Sequence, residues 1–225
     1  DVAKTASNQD THVYVATDDA RIMDHCMKNN IPVLMTPETC ATGTDRAMAA
    51  IAQIDEKPDF IINLQGDAPL TPSDFVRAII DEAAQNQTAD IITPITQLTW
   101  AELDTLREHK KQTPFSGTTA TIDTSGRAMW FSKNIIPAIR KENRSTSLSP
   151  VYRHIGLYGY KRAALEKYVT LPPSHYEELE GLEQLRALEN GMTIQTVIVD
   201  YKGRPAMTGI DSPEDLDRAE KLLSK

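Results

Sequence analysis

Two short segments each place an acidic residue where it could bind a metal ion. Residues 63–69 (Asn-Leu-Gln-Gly-Asp-Ala-Pro) follow the apolar run 60–62, so Asp67 comes at the carboxyl end of a predicted buried strand, where α/β sheets bind ligands. In residues 208–215, Asp211 lies on a tight turn just before a predicted helix. Two such carboxylates, if they converge, can hold a divalent cation against a triphosphate. The pattern predicts metal-assisted chemistry on a nucleotide.

The elements that must position these carboxylates alternate between strand and helix. Periodicity predicts strands at 12–17, 31–35, 60–64 and 91–95, and helices at 20–29, 46–54 and 73–85. Residues 118–122 and 128–131 flank a Thr-Ser-Gly turn like a hairpin, and residues 155–160 alternate like one strand. We predict one α/β domain over residues 1–225, with a doubly wound, Rossmann-like mixed sheet and an antiparallel excursion within 113–160. The charged, serine-rich residues 140–150 are either a lid or a plain solvated connection.

Composition excludes several classes of protein. A net charge of −8 over 225 residues argues against a nucleic-acid surface. Cys26 and Cys40 have no metal-binding spacing, which favours reduced thiols. No apolar run approaches the ~20 residues of a membrane span. We therefore expect a cytoplasmic protein that binds no nucleic acid and does not insert into a membrane.

The loop before the second predicted helix combines small residues with a helix start. Backbone amides at Thr42, Gly43 and Thr44 could face an anion or a base edge. Thr44 is also a good helix N-cap, so a purely structural cap is the alternative. Arg46 could form paired hydrogen bonds with a carboxylate or phosphate, or it could simply be exposed.

Two later segments carry polar residues suited to a ligand rich in hydroxyls. Strand alternation puts His154 and Tyr158 on one face, where both could hydrogen-bond such a ligand; the alternative for His154 is a satisfied structural histidine. In residues 181–188 the leucines have helical spacing. Glu183 and Gln184 would then lie near the helix start, either bound to sugar hydroxyls or exposed to solvent.

Taken together, these segments resemble the 3-deoxy-manno-octulosonate (Kdo) cytidylyltransferase family, also called CMP-Kdo synthetases. The resemblance covers essentially the whole chain. It rests on residues 42–46, 65–67, 130–132, 153–160, 182–186 and 209–215. The joint occurrence of His-Ile-Gly-Leu-Tyr-Gly-Tyr (154–160) and Leu-Glu-Gln-Leu-Arg (182–186) discriminates better than either segment alone.

The resemblance implies a reaction of CTP with Kdo, an acidic eight-carbon sugar, to give the CMP-sugar for lipopolysaccharide assembly and pyrophosphate. It implies a nucleotide-diphospho-sugar transferase fold, a homodimer formed through the excursion, and Mg²⁺ bound by Asp67 and Asp211. Arg46 would pair with the sugar carboxylate, and Thr42, Gly43 and Thr44 would face the nucleotide. The other sugar-binding residues implied are Gln65, His154, Tyr158, Glu183 and Gln184.

The chain departs from the family pattern in two places. Family members open with a strand and a loop of the type Pro-Ala-Arg-x-x-Ser-x-Arg-Leu-Pro-Gly-Lys, which grips the triphosphate and is not found in residues 1–225. We expect these residues to belong to a longer chain and, alone, to turn over CTP inefficiently. Residues 113–119 replace an Asn-Pro-Asn segment, either neutrally or in favour of 8-amino-Kdo. An acidic cluster could then bind the amine, or could simply be solvated: Glu177, Glu178 and Glu180.

Two other functions remain open on the sequence. A cytidylyltransferase for a nine-carbon sialic-type acid would share the fold and the aspartate at the strand end, but should lack the pattern at 154–160. A non-catalytic sugar-binding module would bind its ligand without metal. Magnesium-dependent release of pyrophosphate separates these possibilities.

Overall fold

The chain forms helices packed around strands, most of which belong to one sheet. The computed structural model describes residues 2–204, 209–210 and 213–223. The helices are α1 (Val2–Ala6), α2 (Ala20–Lys28), α3 (Gly43–Ile51), α4 (Ser73–Gln85), α5 (Trp100–Gln112), α6 (Arg162–Tyr168), α7 (His175–Glu180), α8 (Gln184–Glu189) and α9 (Pro213–Leu223). The strands are β1 (Val15–Thr17), β2 (Val33–Met35), β3 (Phe60–Asn63), β4 (Ile91–Thr99), β5 (Thr119–Ile122), β6 (Ala128–Ser132), β7 (Leu148–His154), β8 (Tyr158–Lys161) and β9 (Ile194–Ile198).

The main sheet is mixed, and its long strand β4 pairs along both edges. The hydrogen-bonded order is β3-β8-β4-β7-β5-β6, and β9 runs parallel to β4 on the other edge. Strands β5, β6 and β7, which lie within residues 113–160, pair antiparallel. The predicted Rossmann-like mixed α/β fold with an antiparallel excursion is confirmed.

Strand pairing with β4 is interrupted between β7 and β8. His154 at the end of β7 pairs with Ile95, and Gly159 in β8 pairs with Ile92. Residues 93–94 of β4 therefore lie opposite the longer segment 155–158, and the extra residues of that segment bulge out of the sheet. The single strand predicted over 155–160 is wrong at this point. The physical reason lies on the partner strand, because Pro94 has no N–H to donate across the ladder.

The two faces of β4 are covered by different helices. Ile91 and Ile92 are each 1% exposed and, as neighbours in a strand, point to opposite faces. Ile91 packs in a cluster with Leu185 of α8, and Ile92 packs in a second cluster with Phe75 of α4. Burial of each such side chain contributes roughly 1.5–3 kcal/mol. The sheet is thus covered on both faces.

A smaller, two-stranded sheet carries the first part of the chain. Strands β1 and β2 pair in parallel, and α3 packs against both β1 and β3. A Cβ added at Gly43 would lie 3.3 Å from Asn63 Nδ2. The start of α3 is therefore close to the carboxyl end of β3, as the predicted nucleotide loop requires.

Residues 140–147 connect to β7 without regular helix or strand. Arg144 lies 2.8 Å from Asp104 and 2.7 Å from Glu142, and Arg107 lies 2.6 Å from Glu142. These ion pairs attach the segment to α5, although surface pairs of this kind each contribute about 1 kcal/mol or less. Of the two alternatives that the sequence left open, these contacts favour the plain connection over the lid.

Candidate active site

A cleft of about 440 Å³ opens at the carboxyl end of β3, beside the interruption between β7 and β8. Its position agrees with the rule that ligands bind at the carboxyl ends of strands in α/β sheets. The predicted site residues that line it are Gln65, Asp67, His154, Tyr158, Glu183 and Gln184. The fold therefore brings together residues from three separate parts of the sequence.

Asp67 is exposed at the rim of this cleft. Its carboxylate makes no hydrogen bond or ion pair with the described residues, and its backbone oxygen accepts a hydrogen bond from Ile210 N at 2.8 Å. Gly209 also lines the cleft. The chain leading to Asp211 thus reaches the Asp67 loop, while Asp211 itself lies outside the described residues. Within the described part of the chain, no three histidines, cysteines or acidic residues cluster as a complete metal site.

His154 is a neutral, oriented hydrogen-bonding group. Its Nε2 lies 2.9 Å from Thr93 Oγ1, and that hydroxyl donates to the Leu157 carbonyl at 2.9 Å. Because a hydroxyl has one proton to donate, Nε2 must carry the imidazole proton, which leaves Nδ1 as an acceptor. Burial, assisted by the charge of Lys133, lowers the pKa of His154 to about 3. The ring therefore stays uncharged at neutral pH and is a poor base.

Gln184 holds an unused hydrogen-bond donor in the cleft wall. Tyr158 OH donates to Gln184 Oε1 at 3.0 Å, although Tyr158 and Gln184 lie on different elements. The Gln184 side chain is 4% exposed, and its Nε2 has no hydrogen-bond partner among the described residues. A buried donor left unpaired costs about 1–3 kcal/mol. A ligand acceptor in the cleft would satisfy this group.

Glu183 lies beside Gln184 and connects the cleft to the start of α3. Thr44 Oγ1 donates to Glu183 Oε2 at 3.4 Å, and Tyr168 OH donates to the Glu183 carbonyl at 2.9 Å. Burial raises the pKa of the Glu183 carboxyl. The carboxylate is thus tied to residue 44 of the predicted nucleotide loop.

The remaining predicted residues are not among the described residues that line the cleft. Thr42 is the N-cap of α3 and forms a capping box with Asp45; the predicted N-cap at Thr44 is wrong, because the helix already begins at Gly43 and Thr44 lies within its first turn. Arg46 donates to Asp18 Oδ2 at 2.6 Å and to Thr36 Oγ1 at 2.7 Å. Its guanidinium is therefore occupied within the fold, and its pairing with a sugar carboxylate stays a prediction.

Two cations of the cleft were not predicted as site residues. Lys133 follows β6 and Arg153 lies in β7, and both are half-buried in the cleft lining. The sequence held a signal for both, since Lys133 directly follows the Trp-Phe-Ser segment at 130–132 and Arg153 directly precedes His154. Together they give the cleft a cationic wall.

The acidic cluster before α8 has internal partners. Glu177 forms a largely buried ion pair with Arg186. Glu180 accepts hydrogen bonds from Ser132 Oγ at 2.8 Å and Lys133 N at 2.7 Å. These two carboxylates are occupied within the fold, whereas Glu178, the third member of the cluster, is exposed on α7. A preference for 8-amino-Kdo stays a prediction.

Comparison with known proteins assigns this chain to a family. The cytidylyltransferase family matches residues 2–194. The 3-deoxy-manno-octulosonate cytidylyltransferase of Maricaulis maris is 41% identical over 212 residues, which are 94% of this chain and 80% of that protein. This chain belongs to the 3-deoxy-manno-octulosonate cytidylyltransferase family. A further member, from Elusimicrobium minutum, is 37% identical over 211 residues, with 94% of this chain and 80% of that protein covered.

Solved structures agree with the family assignment. A structure of CMP:2-keto-3-deoxy-manno-octonic acid synthetase complexed with CTP superposes with a TM-score of 0.80 at 28% identity, covering 95% of this chain and 81% of that one. The 4-diphosphocytidyl-2C-methyl-D-erythritol synthase of Anaerococcus prevotii, at 14% identity and a TM-score of 0.52, shares the fold alone. Among the described residues of this family member, no helix has the length and apolarity needed to cross a bilayer.

Proposed function

We propose that the protein transfers CMP from CTP to Kdo and releases pyrophosphate. The observation that carries this proposal is the buried Nε2 of Gln184, which has no partner among the described residues and lies in the same cleft as Lys133 and Arg153. The cations suit the carboxylate of an acid sugar, and the amide donor suits one of its hydroxyls. The named activity of the relatives supports the same substrates.

The cleft residues divide into those that bind the acid group and those that bind hydroxyls. Lys133 and Arg153 bind the sugar carboxylate in our proposal, because Arg46 is already paired with Asp18. Hydroxyl groups are bound by Gln65, His154, Tyr158, Glu183 and Gln184. Discrimination then follows from unpaired buried groups, since a sugar lacking a matching hydroxyl would leave Gln184 Nε2 without a partner.

The nucleotide occupies the side of the cleft nearest α3 in this proposal. Thr42, Gly43 and Thr44 lie at the start of that helix, where backbone N–H groups favour anions and polar base edges. Support comes from the hydrogen bond between Thr44 and Glu183, which joins the start of α3 to the cleft wall. The two substrates would thereby meet near the end of β3.

Asp67, with Asp211, is our proposed site for Mg²⁺. The Asp67 carboxylate, which has no partner among the described residues, is the kind of oxygen ligand that Mg²⁺ prefers, and the Ile210–Asp67 hydrogen bond supports the approach of the second aspartate. When bound, the ion would neutralise triphosphate charge. The protein residues hold the sugar so that its anomeric oxygen bonds to the α-phosphorus, while the bond to pyrophosphate breaks and the proton of the anomeric hydroxyl passes to solvent. His154 orients a hydroxyl and does not take its proton.

Pyrophosphate release by the full-length protein tests the activity. The enzyme is supplied with CTP and Mg²⁺ and, in parallel, with Kdo, 8-amino-Kdo or a sialic acid. Preference for Kdo supports the proposal. Preference for 8-amino-Kdo or for the sialic acid would identify that sugar as the substrate instead. Sugar binding without pyrophosphate release from any nucleotide would establish the non-catalytic binding module instead.

A substitution at Asp67 tests the metal site. Asp67→Asn should lower kcat at least about 100-fold and weaken Mn²⁺ binding measured by electron paramagnetic resonance. Asp55→Asn changes an exposed aspartate that is not among the described residues of the cleft lining; it is the matched control and should leave both quantities unchanged. Equal activity of wild type and Asp67→Asn at limiting Mg²⁺ would remove Asp67 from the site.

We also propose a cytoplasmic homodimer. Support for a subunit contact comes from apolar side chains on the excursion and the adjacent strand, with Met129 62% exposed and Ile198 61% exposed. Both cysteines are free thiols, as a reducing compartment permits. Light scattering during gel filtration measures the oligomeric state, and a monomer at micromolar concentration would contradict the dimer.

A further inference from the structure

Charged side chains hold Lys133 at both of its backbone polar groups. Its N–H donates to Glu180 Oε2 at 2.7 Å, and its carbonyl accepts from Lys110 Nζ at 2.5 Å. Lys133 lines the cleft, whereas Lys110 and Glu180 are not among the described residues that do so. The backbone that carries a cleft cation is thus held by two residues that are not among the described residues of the cleft lining.

Lys110 connects α5 to two parts of the cleft wall. Besides Lys133, its ammonium donates to the carbonyls of Pro114 at 3.2 Å, Ser116 at 2.6 Å and Gly117 at 3.1 Å. An ammonium has three N–H groups, so these four carbonyls share its protons. Burial, together with the nearby charges of Lys133 and Arg153, lowers the pKa of Lys110. A cation in this position is costly unless its hydrogen bonds are made, and here all of them go to backbone.

Glu180 holds the other backbone group of Lys133, its N–H. Its other oxygen accepts from Ser132 Oγ at 2.8 Å, and that hydroxyl accepts from Asn134 N at 2.9 Å. Residues 132–134 are therefore fixed as a unit. Glu180 ends α7, and Gly181 follows at φ 63° before the chain enters α8. The same carboxylate thereby links Lys133 to the segment that carries Glu183 and Gln184.

We infer that Lys110 and Glu180 are positioning residues that hold the Lys133 backbone where its ammonium meets the carboxylate of the acid sugar. This inference rests on the proposed function of the cleft. It assigns part of the selectivity for an acidic substrate to residues behind the cleft wall. A merely structural role would instead lower stability without singling out one substrate.

Matched substitutions on the same helices test the inference. Lys110→Met and Glu180→Gln should each raise KM for Kdo about tenfold, which corresponds to about 1.4 kcal/mol. KM for CTP should stay within about twofold. The controls are Lys111→Met and Glu178→Gln, whose side chains are exposed on α5 and α7, and both KM values should remain at wild type. Equal rises in both KM values would overturn the inference.

A double variant shows whether the effect passes through Lys133. In a Lys133→Met background, Lys110→Met should change KM for Kdo by no more than about twofold, because interacting residues are not additive. A further rise of about tenfold would mean independent action and would overturn the inference. Lys110→Arg, which keeps the charge and several donors, should recover most of the affinity for Kdo.

Amide hydrogen exchange separates failure of this inference from failure of the proposed function. If the wild-type protein releases no pyrophosphate with Kdo, the proposed function fails, and exchange at the Lys133 amide still reports the contacts. Glu180→Gln and Lys110→Met should speed that exchange about tenfold through local opening; unchanged exchange in a folded variant overturns the positioning role. Thermal unfolding identifies any variant that does not fold, and the other variant then carries the test.

Discussion

Tyr158 OH donates to Gln184 Oε1 at 3.0 Å, and this bond leaves the buried Gln184 Nε2 without a partner among the described residues. The tyrosine begins β8 and the glutamine begins α8. The pair joins the sheet to the helix that covers it. At the same time it aligns one amide so that its acceptor is satisfied and its donor is not.

The pair separates a binding role from a packing role. Replacing both residues, Tyr158→Phe with Gln184→Met, removes a buried hydrogen bond together with the unpaired donor, so the free energy of unfolding should change by less than about 1 kcal/mol. KM for Kdo should nevertheless rise about tenfold. Urea unfolding and steady-state kinetics measure the two quantities.

Gln97→Met provides a matched control for this pair. Gln97 Nε2 donates to the Ser149 carbonyl at 2.8 Å, and Gln97 is not among the described residues of the cleft lining. This control should lose stability and keep its KM for Kdo. A double variant at 158 and 184 with normal KM would show that the pair serves packing alone.

The assignment of the sugar carboxylate can be decided between two cations. Lys133→Met should raise KM for Kdo roughly 10- to 100-fold, the range expected when a charged hydrogen bond is lost. Arg46→Met should affect KM for Kdo less, because its guanidinium already binds Asp18 and Thr36. Steady-state kinetics with saturating CTP compares the two. A larger effect at Arg46 would restore the assignment implied by the sequence resemblance.

The neutral His154 should make the protein less stable in acid. Its pKa is lowered to about 3 in the folded state, against an ordinary value of about 6.5 in the unfolded chain. As the pH falls below about 6.5, the unfolded state binds a proton that the folded state does not, so the contribution of this residue to stability declines by up to about 1.4 kcal/mol per pH unit. The contribution is fully present above that pH.

A variant isolates this effect from other titrating groups. The free energy of unfolding of the wild type and of His154→Asn should be measured at about pH 7, about pH 6 and about pH 5. When the pH falls from about 6 to about 5, the free energy of unfolding should decrease more for the wild type than for the variant. Parallel curves would show that His154 titrates normally in the folded protein.

Gly159 should not tolerate a side chain. A Cβ at this position would lie 2.4 Å from two carbons of the Phe60 ring and 2.7 Å from Ile79 Cγ2. Gly159→Ala should therefore lower the free energy of unfolding by about 1–3 kcal/mol through overpacking. Gly156→Ala is the control, since a Cβ there meets nothing within 4 Å, and its effect should be about 0.5 kcal/mol or less. Equal effects in urea unfolding would contradict the packing argument.

Local sequence patterns were sufficient to predict much of the fold. The helix over 73–85 is observed as α4, and the predicted hairpin is observed as β5 and β6, because amphipathic periodicity and turn residues act within a few positions. The interruption at 155–157 could not be read in the same way. It depends on Pro94, which lies on the partner strand about 60 residues earlier in the chain.

The site shows the same division between local and distant determinants. Residues at strand or helix ends, such as Asp67 and Gln184, were predicted because element boundaries can be read from local pattern, and both line the cleft. Lys133 was missed as a site residue, since its placement depends on Lys110 and Glu180, which are 23 and 47 positions away. Arg46 has a partner 28 positions away, which no local pattern predicts.

The interruption between β7 and β8 also bears on how such a cleft can change over evolutionary time. On either side of it, pairing is anchored separately, by His154 with Ile95 and by Gly159 with Ile92. A residue gained or lost at 155–157 would alter the width of the opening, while neither flanking strand would slip in register. Length variation at this point would therefore reshape the cleft while the pairing of the sheet on both sides is kept.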